Sequence, residues 1–192
     1  MTDQPADLTR FEACLPFVLA QECPRPDDWS NPRNFSNDAH DPGGETMCGI
    51  IQREYDSYRK DKGLPTQDVR LLTKAEGEEI YDVSYWLPDC PKLPAGLDLV
   101  YFDESVNAGP HTATKILQAA LDIPVDGAWG PQTDLAVRGA ASNAAATINA
   151  FTARREAYYR ALRGFQYFGT GWINRSRAIN AAALKMVGST GG

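Results

Sequence analysis

At 192 residues the chain has room for one sizeable core or two small modules. Its composition, 43% hydrophobic and 23% charged, is that of a soluble globular protein. A formal net charge of -6 weighs against a general nucleic-acid binder or an anionic membrane surface as partner. No apolar run approaches the roughly 18–20 residues of a transmembrane helix, so no stable membrane insertion is expected. Met1-Thr2-Asp3-Gln4-Pro5 lacks the basic and apolar regions of a secretory signal. Synthesis in the cytoplasm is the expectation, and work outside it would need another export route. Positive charge gathers late, at Arg154, Arg155, Arg160, Arg163, Arg175 and Arg177.

Cys14, Cys23, Cys48 and Cys90 show no CxxC spacing, and His40 and His111 are the only histidines, so no metal site is expected. Four cysteines allow three pairings, which the sequence does not separate. Free, partly buried thiols are the expectation for a reducing compartment. In an oxidising one, a bridge using Cys23 or Cys48 is the plausible alternative.

The first periodic segment covers residues 8–22, with Leu8, Phe11, Leu15, Val18 and Leu19 on one face. Thr9 with Glu12 reads as a capping box, and Pro16 as a kink or a second start. Glu22 continues the apolar stripe at the helix end, just before Cys23-Pro24. Burial and the negative end of the helix dipole disfavour a carboxylate there and favour the protonated form, which a general acid requires. Residues 24–40 form a polar loop in which Trp29 and Phe35 read as pegs. Asp41-Pro42-Gly43-Gly44-Glu45-Thr46 can fold as a tight turn holding an acid and a hydroxyl together, with Gly49-Ile50 leading out of it.

Helices are predicted from Ile50 to Asp61, from a Thr73/Glu76 capping box to Leu87, and from Leu97 to Asn107. Tyr81, Tyr85 and Trp86 make the second of these aromatic, mostly for core packing. Asp103 beside Phe102 reads as a hydrogen-bonding support residue. A short helix capped by Thr112 follows, then one starting at Pro131, then a long one over 144–162 ended by Gly164. A turn at Gly169–Arg175 opens the last helix. No strand-like alternation appears, so the chain reads as all-α or nearly so.

Taken in order, these segments resemble glycoside hydrolase family 108, the N-acetylmuramidases found among phage endolysins. Phe17-Val-Leu-Ala-Gln-Glu22 looks like the helix end carrying the family's catalytic glutamate, and 41–50 like its glycine-rich turn. Ile80-Tyr81 with Tyr85-Trp86 matches its aromatic helix. Asn107-Ala-Gly109-Pro110, Asp126-Gly127, Gly130-Pro131 with Thr133, and Gly171-Trp172-Ile-Asn-Arg175 match its C-terminal, peptidoglycan-binding region. The resemblance implies a lysozyme-like helical fold with a helical peptidoglycan-binding-like region packed against it, divided at 1–105 and 106–192. It implies cleavage of the β-1,4 bond between N-acetylmuramic acid and N-acetylglucosamine. Glu22 would be the general acid, Asp41 would orient or activate water with Thr46, and Glu45 is the alternative second carboxylate. Glu45, Tyr85, Trp86, Asp103 and Asn107 are the candidate substrate contacts.

Neither metal nor organic cofactor is needed. The implied setting is a monomer acting on the wall in the periplasm, released by a holin-type partner. One departure is local: the family usually has two glycines and an aromatic after the glutamate, where this chain has Cys23-Pro24-Arg25, and the link to Asp41 is lengthened. A non-catalytic wall-binding or secretion-associated relative and a lytic transglycosylase are the alternatives.

Overall fold

The computed structural model describes residues 4–37 and 44–189. Among the described residues eight α-helices run in order: α1 (Gln4–Glu22), α2 (Gln52–Asp61), α3 (Lys74–Tyr81), α4 (Leu97–Ala108), α5 (Pro110–Ala120), α6 (Pro131–Ala140), α7 (Ala144–Ala161) and α8 (Phe165–Ser189). Three two-residue strands, β1 (Phe35–Ser36), β2 (Thr46–Met47) and β3 (Ile50–Ile51), form one antiparallel sheet in the order β1-β2-β3. The mostly helical expectation therefore stands, with this small sheet added. The contacts divide the chain into two compact units, Leu15–Ser84 and Met1–Cys14 with Tyr85–Gly192.

Several local expectations change. α1 has already begun before Thr9 and passes through Pro16 unbroken. Its stripe is buried as predicted at Phe11, Leu15, Val18 and Leu19. Ile50 and Ile51 pair with β2 instead of opening α2. α5 starts at Pro110, two residues ahead of Thr112, with proline again in the first turn where its missing N–H costs little. Gly169–Arg175 is no turn, because α8 runs through it. A Cβ on Gly169 would stand 2.6 Å from the Phe165 ring, so glycine lets that ring lie flat along the helix.

Within Leu15–Ser84, the long polar loop is held by its own side chains. Asn34 is buried and donates to the carbonyls of Arg25 (3.0 Å) and Asp28 (2.8 Å), while accepting from the Arg25 amide (2.7 Å). Trp29 is a peg: its ring lies across α3 where a Cβ on Gly77 would approach to 2.0 Å. α2 and α3 are joined through Glu76, which accepts from Tyr55 Oη (3.0 Å) and Arg59 Nη1 (2.7 Å) and closes the Thr73 capping box predicted for α3. Such a carboxylate both ends a helix and ties it to a neighbour.

In the other unit α4 is the hub, buried from Leu97 to Ser105 and packed by α5, α7 and α8. Its acids are enclosed and paired. Asp98 accepts from the Gly96 and Leu99 amides (2.7 and 2.8 Å) and from Arg10 Nε (3.0 Å). Asp103 accepts from Arg155 Nη2 (2.5 Å) and Arg175 Nη2 (2.9 Å). Glu104 accepts from Tyr159 Oη and pairs with Arg155 Nε, both at 2.5 Å. Burial nonetheless pushes the Glu104 carboxyl up, against the pull of Arg155. Further along, Gln118 clasps the 126–128 turn, donating to Asp126 Oδ1 (2.7 Å) and accepting from the Gly127 amide (2.8 Å).

Partial burial raises the Glu76 carboxyl, but bonds from Thr73, Tyr55 and Arg59 outweigh it and hold the group below the usual carboxylate range. A depressed folded value stabilises the fold above the unfolded value of about 4.3 and loses that contribution as the pH falls through the folded one. Glu76→Gln should therefore cost about 2 kcal/mol at neutral pH. Melting temperatures of wild type and variant should converge in thermal scans taken from about pH 7 down to about pH 3.

Candidate active site

The site is built around the C-terminus of α1. Glu22 is its last residue and is half-buried. Cys23 follows, its amide still bonded to the Leu19 carbonyl (2.8 Å), and is joined by a disulfide to Cys48. The free-thiol expectation is thus corrected for this pair and holds for Cys14 and Cys90, which are buried and unpaired. Burial lifts the Cys14 thiol well above its ordinary range, so it is inert as a nucleophile.

Cys48 and Gly49 are the two residues of the β2–β3 turn, with φ of 46° and 78°. Positive φ at both positions makes the primed turn whose twist matches a hairpin. Register places Thr46 opposite Ile51 and Met47 opposite Ile50. Glycine is required at position 49 for two reasons: the conformation, and the space. A Cβ there would stand 2.8 Å from Tyr81 Oη, 3.0 Å from Glu22 Cβ and 3.0 Å from Glu22 Oε2. The glutamate carboxyl and the tyrosine hydroxyl therefore both close on one bare Cα. Tyr81 Oη also donates to the Cys48 carbonyl (2.8 Å), and the Cys48 amide donates to the Asn34 carbonyl (2.9 Å).

Thr46 lies next along β2, half-buried, its hydroxyl donating to the Gly44 carbonyl (3.1 Å). Glu45 is half-buried and accepts from Asn37 Nδ2 (3.3 Å). Asp41, with Pro42 and Gly43, falls outside the described residues. Glu22, Glu45 and Thr46 thus belong to the Leu15–Ser84 unit. Tyr85, Trp86, Asp103 and Asn107 belong to the other.

Among those four, Trp86 and Asp103 are corrected as substrate contacts. Trp86 is 1% exposed, with Phe11 and Phe102 against its ring at 5.7 and 5.4 Å, so no ring face is open to a sugar. Asp103 is fully enclosed by its arginines and acts as the support residue. Asn107 donates to Tyr159 Oη (2.8 Å), and Tyr85 is half-buried. Among the described residues no group of His, Cys, Asp and Glu is arranged to hold a metal ion.

Sequence reasoning missed two members of the site, the turn at Cys48-Gly49 and Tyr81, and offered a bridge using Cys23 or Cys48 only as the alternative for an oxidising compartment. Only the turn left a signal, a glycine-containing pair flanked by the apolar Met47 and Ile50–Ile51.

The family model of glycosyl hydrolase 108 matches residues 18–109, a span that contains the glutamate, the hairpin and Tyr81. Among solved structures, that of Brucella abortus SagA is similar, with 30% sequence identity and a TM-score of 0.74 over 92% of this chain and 95% of that one. No curated protein matches the chain.

Two stability effects follow from this geometry. Replacing both Cys23 and Cys48 by Ser frees a loop of 25 residues and should cost about 3 kcal/mol by chain entropy, read as a lower denaturant midpoint. Gly49→Ala adds a Cβ at positive φ against two side chains and should cost about 2 kcal/mol in the same measurement.

Proposed function

The chain belongs to the glycosyl hydrolase 108 family and is a glycoside hydrolase of a peptidoglycan-hydrolysing family, and from that premise we propose that it cleaves the β-1,4 bond between N-acetylmuramic acid and N-acetylglucosamine with Glu22 as general acid. The observation that carries this is the placement of Glu22 Oε2 against the bare Cα of Gly49, on a turn tied to the same helix end by a disulfide. A proton donor must be oriented within fractions of an ångström of the leaving oxygen, and a rigid backbone wall is one way to do that.

In this reading Glu22 protonates the departing glycosidic oxygen as positive charge develops on the sugar ring. Thr46 holds a water through its hydroxyl. Asp41 orients or activates that water, with Glu45 as the second carboxylate otherwise. Glu45 contacts the glycan in the Leu15–Ser84 unit, and in the other unit the candidate contacts are Tyr85, Asn107 and Trp129 or Trp172. No cofactor is called for.

The proposed setting is a monomer in the periplasm, reached through a membrane lesion made by a holin-type partner. The disulfide supports the oxidising side of the membrane as the working compartment.

Glu22→Gln keeps the shape and removes the proton. Clearing of permeabilised Gram-negative cells should fall by at least about 100-fold, while binding to isolated wall is retained. Mass spectrometry of the released fragments should show reducing ends. Clearing by the variant at the wild-type rate, or anhydromuramic ends, would overturn the assignment.

A further inference from the structure

We propose that Tyr81 is a positioning residue for the proton donor, its buried hydroxyl fixing the Cys48–Gly49 peptide as the wall against which the Glu22 carboxyl is oriented. The inference rests on the reading of Glu22 as general acid.

Tyr81 closes α3 and is 1% exposed, so a polymeric substrate does not reach it. A phenol has one hydrogen to donate, and here it goes to the Cys48 carbonyl at 2.8 Å. That carbonyl belongs to the peptide unit joining Cys48 to Gly49, whose bare Cα leaves the space that Glu22 Oε2 and Tyr81 Oη share. Besides the pairing of Met47 with Ile50 that closes the hairpin, three ties hold this turn. The Cys48 side chain is bonded to Cys23, and the Cys48 amide donates to the Asn34 carbonyl (2.9 Å). Both act on the N-terminal side of the Cys48 carbonyl and leave the following peptide plane free to rotate about ψ. The tyrosine bond alone of the three sets that plane.

Rotation of the plane would shift the Gly49 Cα and tilt the surface on which the glutamate rests. Cys23 would still anchor the end of α1, so the groups that grip the polymer stay in place while the acid loses its alignment. Removing the hydroxyl should therefore lower the rate of the chemical step and leave binding alone.

Tyr81→Phe deletes the oxygen and keeps the ring. In the full-length, disulfide-bonded protein, kcat and KM are measured on soluble, uncrosslinked glycan strands. Rates are normalised to the folded fraction from near-UV circular dichroism at the assay temperature, so a partly unfolded variant still reports. The expected result is a kcat about ten-fold lower with KM within about two-fold of wild type.

Tyr55→Phe removes another buried hydroxyl of the same unit, away from the turn, and should leave kcat unchanged. An unchanged kcat in Tyr81→Phe, a rise in KM in place of a fall in kcat, or an equal fall in both phenylalanine variants overturns the inference. Glu22→Gln runs alongside. If it is inactive while Tyr81→Phe is silent, only the inference fails; if it is fully active, the assignment of the acid fails as well.

Discussion

A helix end and a backbone turn can share a space only where one of them lacks a side chain. Gly49 supplies that vacancy, and Glu22 and Tyr81 of the Leu15–Ser84 unit together fill it. α1 delivers Glu22 to it, α3 delivers Tyr81, and the disulfide prevents the helix end and the turn from drifting apart. The short strands matter less for their own stability than for register. Two residues per strand cannot hold a sheet in water, but pairing Thr46 with Ile51 sets which residues occupy the turn. The polar loop contributes through Asn34 and Trp29, which fasten its path to the body of the unit.

The other unit solves a different problem. α4 is enclosed along most of its length yet carries Asp98, Asp103 and Glu104. Enclosing a carboxylate costs several kcal/mol unless opposite charge and hydrogen bonds compensate. Arg10 compensates the first, and Arg155 with Arg175 the other two. Two arginines of the C-terminal third, Arg155 and Arg175, are therefore spent inside the molecule. Arg160 and Arg177 likewise share Glu156 at the surface. Acids that look like candidates for chemistry when written in a row can instead be the counter-ions of a helix hub.

The extent to which the sequence revealed the site follows from the range of the interactions involved. The Thr73/Glu76 box, the proline start of α6 and the apolar stripe of α1 were all readable, because each depends on residues within a turn or two of one another. Glu22 at a helix end was readable for the same reason. Glycines misled: Gly169 and Gly171 looked like a turn and lie within one helix, Gly169 making room for the Phe165 ring. Trp86 stood among the candidate substrate contacts and lies in the core, where its neighbours Phe11 and Phe102 cover it.

By itself, then, the sequence determined the helical class, most helix limits and the acid at the end of α1, because backbone propensity and side-chain periodicity are short-range. Tertiary structure alone decided that Cys23 pairs with Cys48, that Tyr81 reaches the turn 33 residues away, and that Asp103 meets arginines 52 and 72 positions further on. Those choices depend on where separate helices come to lie, and no local pattern encodes a distance between residues that far apart along the chain.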